Sequence, residues 1–382
     1  MARHICIVGT AYPFRGGLAA YNERLARAFM HRGDDVTIYT FSLQYPKIFF
    51  PGKSQYSNEP IPGDLRIDKT INSVNPLTWL ETGKAIRDQK PDIVIIKYWL
   101  PFMAPALGTI ARIIRKNNHS RVIAILDNII PHEPRIGDKM FSRYFTGSVD
   151  GFIAMSKAVY NDLSIFDKNK PRLLSPHPLY DHYGKKREKL TAREELDLER
   201  DRKYLLFFGF IREYKGLDIM LKAMSYLKRK RKDVVLIVAG EFYTKPDEYY
   251  KLIDELELEK HVIMQTDFIP DSKVGAYFSA ADLVVQPYKS ATQSGVTQIA
   301  YHFEKPMIVT DVGGLGELIP DGKVGYVTPV DEKALAEAII NFFEEDKEQD
   351  FVANMKEEKK KYSWESLLEN IDKLYEQISE QR

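Results

Sequence analysis

The chain has 382 residues, 44% hydrophobic and 29% charged, enough for two or three domains and unlike a disordered tail or a coiled coil. Lys and Arg number 55 against 54 Asp and Glu, and the net charge of +1 argues against a dedicated nucleic-acid binder. A single cysteine, Cys6, excludes an internal disulfide framework, and no apolar run nears the roughly 18 residues that span a bilayer.

The first apolar stretch, His4–Val8, runs straight into Gly9. It lacks the long core of a signal peptide and reads as a strand of a cytoplasmic protein. Similar runs recur at Val36–Phe41, Asp92–Tyr98, Val122–Leu126 and Gly151–Met155. Past the middle they return at Tyr204–Phe208, Val234–Ala239, His261–Gln265, Leu283–Gln286 and Met307–Thr310. Continuous Val, Ile and Leu are what parallel strands covered on both faces require. Between the first two runs, Leu18, Tyr21, Leu25 and Phe29 share one helical face, with Gly33 as the C-cap. Strand and helix in alternation predict an α/β fold of doubly wound parallel sheets.

The alternation pauses after one more helix beyond Ser156. Pro171–Pro178 and the charged segment 184–203 follow, with Ser175-Pro-His-Pro178 as the crossing linker. We therefore expect domains over 1–180 and 181–360, with a cleft between the two halves at the carboxyl ends of their strands. In the last stretch, 361–382, Trp364, Leu367, Leu368, Ile371, Leu374 and Tyr375 recur at helical spacing behind Ser363 as N-cap.

Four segments at strand ends carry chemistry. Gly16 and Gly17 precede a helix, where backbone N–H groups can approach a phosphate or a sugar; a plain turn also needs such glycines. No Gly-x-Gly-x-x-Gly and no P-loop is present. Gly209-Phe-Ile-Arg212-Glu-Tyr-Lys215-Gly216 delivers two cations: Arg grips phosphate oxygens bidentately, and Lys acts as a point charge. Gln293-Ser294-Gly295-Val296 opens a helix whose free N–H groups suit a pyrophosphate, or is an ordinary capped helix. His132, past the Val122–Leu126 run, is placed to touch a substrate or to serve the fold. His177, between prolines, reads as linker architecture. Arg112, Arg115, Lys116 and Arg121, beside Trp99, Phe102 and Met103, read as a membrane-touching patch or as an aromatic core with basic neighbours. No His, Cys or carboxylate spacing points to a metal.

These segments together resemble the GT-B glycosyltransferases, and specifically the retaining glycosyltransferase family 4 (group 1), over nearly the whole chain. Gly209-Phe-Ile-Arg-Glu-Tyr-Lys-Gly resembles the family's G-x-L/I-x-x-x-K-G, whose Lys and nearby Arg hold the donor diphosphate. Val238-Ala-Gly-Glu241 resembles its V-x-G-x strand end, and Phe268-Ile269-Pro270 its loop past the nucleotide base. Pro306–Glu317 resembles P-V-I/V-A/G-T/S-x-x-G-G-x-x-E, and Gly16-Gly17 the N-terminal glycine loop. His132 sits where the family places a histidine near the donor sugar. The family's Glu-x7-Glu falls on Ala291 and Ile299 aligned from Pro306, or on Thr292 and Ala300 aligned from Gly295. Gln293 and Gln298 are the nearest polar substitutes, and Glu304 stands where the family has glycine.

The resemblance implies two Rossmann-like domains: an acceptor domain over 1–180, a donor domain over 181–360, and a last helix over 361–382 packing back on the first. It implies a hexosyltransferase-type enzyme moving sugar from a UDP- or GDP-linked donor to a saccharide or lipid-linked acceptor in polysaccharide or glycoconjugate synthesis. Retention follows from the same resemblance, which implies no cofactor, and independence from metal is expected because no Asp-x-Asp or His and carboxylate cluster is available. His132, Arg212 and Lys215 would be catalytic. Gly16, Gly17, Gly209, Glu241, Phe268, Ile269, Gln293, Ser294, Gly295, Val296 and Gln298 would bind the donor. Peripheral membrane contact is expected through the N-terminal domain, and no nucleic acid. A nucleotide-sugar binder without turnover and a GT-B sugar-nucleotide epimerase stand as alternatives.

Overall fold

The computed structural model describes residues 2–46, 54–57, 59–131, 135–291 and 294–381. Contacts divide the chain into two units, Met1–Pro178 with Tyr362–Arg382, and Leu179–Lys361.

The first unit runs β1 (His4–Val8), α1 (Gly17–His31), β2 (Asp35–Leu43), β3 (Arg66–Asn72), α2 (Pro76–Gln89), β4 (Ile93–Tyr98), α3 (Ala104–Ile114), β5 (Arg121–Leu126), α4 (Asp138–Thr146), β6 (Gly151–Ala154), α5 (Lys157–Leu163) and β7 (Arg172–Leu174). The sheet is parallel, in the order β3-β2-β1-β4-β5-β6-β7. The central strands β4 and β5 are almost wholly buried, which is why their apolar runs are continuous. The apolar runs missed β3 and β7. Both are edge strands, and Arg-Ile-Asp-Lys-Thr-Ile-Asn and Arg-Leu-Leu need no two-sided apolar cover. In α1, Tyr21, Leu25 and Phe29 are fully buried. Gly33 lies just past the cap at φ +96°, where a side chain is disfavoured.

The second unit runs α6 (Lys189–Glu195), β8 (Lys203–Phe208), α7 (Leu217–Lys230), β9 (Val234–Ala239), α8 (Asp247–Glu255), β10 (Val262–Gln265), α9 (Asp271–Ala280), β11 (Leu283–Gln286), α10 (Gly295–His302), β12 (Met307–Thr310), β13 (Gly325–Thr328), α11 (Glu332–Glu344) and α12 (Glu348–Glu358). Its sheet is also parallel, in the order β10-β9-β8-β11-β12-β13. The short edge strand β13 was not read from the sequence. Asp282, 1% exposed, anchors α6 to the sheet: it accepts from Lys189 Nζ, Arg193 and the Tyr204 N–H, each at 2.7 Å.

The last helix, α13 (Trp364–Glu380), belongs to the first unit. Ser363 caps it, its Oγ accepting from the Ser366 N–H at 3.1 Å. Trp364, Leu367, Leu368, Ile371, Leu374 and Ile378 are buried, while Tyr375 lies under the Arg3 guanidinium at 5.2 Å. The Trp364 ring is 5.3 Å from that of Tyr21, and Asp372 pairs with both Arg3 and Arg32 at 2.7 Å. A Cβ on Gly151 would come within 2.7 Å of Ile378 Cδ1, so helix and strand meet closely there. Trp364→Ala should lower unfolding stability by about 3–5 kcal/mol, read as a shifted denaturation midpoint. An unchanged midpoint would show that the helix contributes little to the first unit.

Candidate functional site

Neighbouring strands β8 and β11 mark the point where the strand order of the second sheet reverses. Chains leaving their carboxyl ends there open away from each other, which makes this the usual ligand position of a doubly wound sheet. The loop after β8 carries Arg212 and Lys215, and the segment after β11 leads into α10.

Backbone contacts set the loop's shape. The Gly209 N–H donates to Ala239 O at 2.9 Å, Ile211 to Glu241 O at 2.8 Å, and Tyr243 to Ile211 O at 2.9 Å. Gly240 approaches so closely that a Cβ there would lie 2.2 Å from Gly209 O. On the other side, Lys289 donates its N–H to Tyr214 O. Gly216, at φ +68°, presses on Pro287, and a Cβ would fall 1.9 Å from that carbonyl oxygen. Only glycine satisfies both the angle and the space.

Within this frame Arg212 lies over the Tyr243 ring at 5.0 Å, and the Lys215 ammonium lies 5.6 Å from the centre of the Tyr288 ring. Both cations are half-buried, and neither has a carboxylate partner among the described residues. Burial first, and then the Arg212 guanidinium, push the Lys215 ammonium down to about 7. A Cβ on Gly209 would stand 2.9 Å from Lys215 Nζ and 3.7 Å from Val296 Cγ2, so the ammonium and the first turn of α10 share one neighbourhood.

Gly295 begins α10 behind Ser294, which supplies no side-chain cap. The Gly295 and Val296 N–H groups find no acceptor among the described residues, as expected at a helix N-terminus. Ser294 is buried, its Oγ 3.3 Å from the Tyr288 hydroxyl. Gln286 and Thr297 exchange side-chain hydrogen bonds at 3.1 and 3.2 Å, tying the helix to the end of β11. Gln298 is fully buried, and neither its amide oxygen nor its amide nitrogen has a partner among the described residues.

Gly209, Arg212, Lys215, Ser294, Gly295 and Val296 come together. Glu241 is 2% exposed at the end of β9, and its backbone helps clamp the loop. Phe268 joins an aromatic group with Phe210, 6.3 Å between rings; Phe210 in turn lies 4.4 Å from Tyr243. Ile269 is half-buried before α9. Gly16, at φ +94°, and Gly17 start α1 in the first unit. His132 and Gln293 lie outside the described residues. The sequence reading missed Phe210, Tyr243 and Tyr288; only their place beside the two cations distinguishes them from core aromatics. Glu304 keeps the helix-ending role of the glycine it replaces, at φ +53°, with Lys186 and Lys359 on its carboxylate at 3.1 and 2.8 Å.

A cavity of about 340 Å³ lies beside the loop but does not hold the two cations. Glu213, Asp218 and Glu248 line it with Lys245 and Lys289, a balance of charge that leaves no excess of cations for a polyanion. Among the described residues no three His, Cys, Asp or Glu side chains converge to hold a metal, and no helix is long and apolar enough to cross a membrane. Of the two readings of the segment around Trp99, the aromatic core fits: Trp99 and Phe102 pack against the core, while Arg112 and Lys116 stay exposed. Met103 is fully buried, and Trp99 donates to the Tyr45 hydroxyl at 2.8 Å. Arg112 and Arg115 are held by Ser148 and Asp150, each at 2.8 Å.

Comparison with known proteins bears on the fold and the family. Residues 188–362 match the model for glycosyl transferases group 1, and residues 15–176 match that for glycosyltransferase family 4. An uncharacterized glycosyltransferase of Methanocaldococcus jannaschii is 28% identical over 249 residues, a match spanning 64% of each chain. Sucrose-phosphate synthase of Thermosynechococcus elongatus superposes with a TM-score of 0.77 at 18% identity, covering 100% of both chains. HepE of Anabaena, solved with UDP, gives 0.72 at 16% identity over 99% of both. Matched in tandem along both halves, and with two parallel α/β sheets of this order, the chain belongs to the group 1 glycosyltransferases of GT-B fold.

Proposed function

We propose that the protein transfers a glycosyl group from a nucleoside-diphosphate sugar to a saccharide or lipid-linked saccharide, with retention and without a metal, in polysaccharide or glycoconjugate synthesis. One observation carries the reading: Arg212 and Lys215 are held together, half-buried, with no counter-ion among the described residues. Such a pair is costly unless an anion completes it. A diphosphate supplies that charge, and the open N–H groups of α10 add to it. The solved HepE complexes with UDP and UDP-glucose, in a protein of the same fold, support a nucleoside-diphosphate sugar as donor and make UDP-sugars the first to try.

Breaking the anomeric C–O bond builds positive charge on the sugar and negative charge on the departing diphosphate. Lys215 and Arg212 stabilise that leaving group, and the first turn of α10 faces its oxygens. The buried Gln298 amide, able both to donate and to accept, holds a donor hydroxyl. The acceptor hydroxyl attacks from the face the leaving group vacates, which preserves configuration, and its proton passes to the departing diphosphate. In this reading the first unit binds the acceptor, and the protein works in the cytoplasm.

Lys215→Met and Arg212→Ala should each cut kcat/KM on the order of a hundredfold while the protein still melts cooperatively. Incubation with UDP-sugars, assaying UDP and free sugar, reads this. Turnover close to wild type in both variants would remove the diphosphate assignment. UDP binding with no sugar release by the wild type would mark a binder instead.

The Lys215 ammonium also fixes a pH dependence. The free protein's ammonium is charged below about 7 and neutral above it. A bound diphosphate favours the charged form and raises the pKa again. UDP affinity should therefore fall as pH rises through and above 7, and binding at about pH 8 should take up a proton. Calorimetry in buffers of different ionisation heat measures that uptake, and Lys215→Met should abolish it.

Full turnover should persist in EDTA, the two cations doing the work of charge neutralisation. Loss in EDTA with rescue by a divalent ion would show that they do not suffice.

A further inference from the structure

Ser294 stands at the N-cap of α10 and does not cap it. Asn75, Ser156, Asp331 and Ser363 hold the same position ahead of α2, α5, α11 and α13, and each of their side chains accepts from an N–H of its own helix. A serine at that place ordinarily satisfies one of the open donors of the first turn. Here the Ser294 hydroxyl lies 3.3 Å from the Tyr288 hydroxyl instead, and both residues are buried. The Val296 N–H, at the N2 position that an N-cap side chain serves, keeps no acceptor among the described residues.

Tyr288 is fixed along its whole length. Its carbonyl accepts from Thr310 Oγ1 at 2.6 Å. Tyr214 meets its ring edge-on at 6.1 Å, and the Lys215 ammonium lies 5.6 Å from the ring centre. Burial pushes the phenol above its usual range, so the hydroxyl stays protonated at neutral pH. Ser294 is the hydroxyl's one partner among the described residues. A single side chain thus runs from the loop of the two cations to the head of α10.

We propose that Tyr288 is a positioning residue: its hydroxyl holds the Ser294 hydroxyl away from α10, so that the first-turn N–H groups stay open to the anion beside Lys215. The hydroxyl of the chain and an oxygen of the ligand compete for the same donors. An anion that first had to displace a serine cap would bind on the order of fivefold more weakly. The tyrosine removes that competition before the ligand arrives. The consequence for binding rests on the diphosphate reading; the placement of Tyr288 and Ser294 does not.

The test is Tyr288→Phe in the full chain, which keeps the ring beside Lys215 and removes the hydroxyl. Ser294 should then turn and cap its own helix. Amide hydrogen exchange of the free protein, resolved by NMR, reads this directly: Val296 should exchange on the order of fivefold more slowly in Y288F. Ser294→Ala in the Y288F background should return it to the wild-type rate. Calorimetric titration with UDP reads the consequence. Kd should rise on the order of fivefold in Y288F and fall again in Y288F/S294A, whereas a merely structural tyrosine would make the double variant worse. Circular dichroism melting checks the fold. Should Y288F melt early, Ser294→Ala alone serves: Val296 should exchange as in the wild type, because no cap is lost. Unchanged Val296 exchange in Y288F, faster exchange in S294A, or a double variant that binds UDP no better than Y288F would each overturn the proposal. A wild type that binds no UDP removes the donor reading instead, and the exchange rates still decide the role of Tyr288.

Discussion

Lys215 and Arg212 repel each other, and the backbone rather than opposite charge holds them together. Three loop hydrogen bonds bind the segment after β8 to the end of β9 and beyond, each worth about 1 kcal/mol net. Gly240 and Gly216 let neighbouring backbones close to distances that no Cβ would allow. Tyr243 and Tyr288 offer ring faces to the two cations, a weak attraction that neutralises no charge. The free protein thus carries an electrostatic cost that an external anion, or loss of the Lys215 proton, removes. Burial first, and the Arg212 guanidinium second, depress the Lys215 ammonium for that reason.

Topology decides where this happens. β8 and β11 are far apart in sequence but adjacent in the sheet, with Leu205 opposite Leu283 and Leu206 opposite Val284. Their adjacency brings the first turn of α10 to the Gly209 loop, so that Val296 and Lys215 flank one glycine. Neither segment is a polyanion site alone. A helix of eight residues has a modest dipole, and two lysine-arginine charges in water bind diphosphate weakly. Together, half-buried, they reinforce each other.

Much of this was legible in the sequence because parallel strands covered on both faces must be continuously apolar. Ten such runs were read, and each strand lies within a residue or two of its run. The missed strands β3, β7 and β13 sit at or near sheet edges, where that requirement lapses; Arg66–Asn72 alternates polar and apolar like any surface segment. The motif Gly209–Gly216 was legible because the backbone itself demands glycine there. The aromatic neighbours were not, since Phe210 and Tyr288 look like any core aromatic until topology places them. Surface chemistry was read least well. Arg112 and Arg115 formed a basic stretch in sequence but are claimed by Ser148 and Asp150.

The carboxylates absent from α10 bear on the same electrostatics. Two glutamates at the usual positions of the family would add negative charge beside a dianionic diphosphate. Ala, Ile or Thr there leaves the field of Arg212 and Lys215 undiluted. In the proposed reading, contact with the donor at these two positions comes from neutral groups. Gln298 suits that role because an amide presents a donor and an acceptor, whereas a carboxylate only accepts. Its two polar atoms are buried and unpartnered among the described residues, at a cost of about 1–3 kcal/mol for such a group. A sugar or ribose hydroxyl, itself donor and acceptor, can recover that cost without changing the charge of the site. In the proposed reaction the donor is therefore held by charge at its diphosphate and by neutral hydrogen bonds at its hydroxyls. The field that stabilises the leaving group is kept separate from the contacts that recognise the sugar nucleotide.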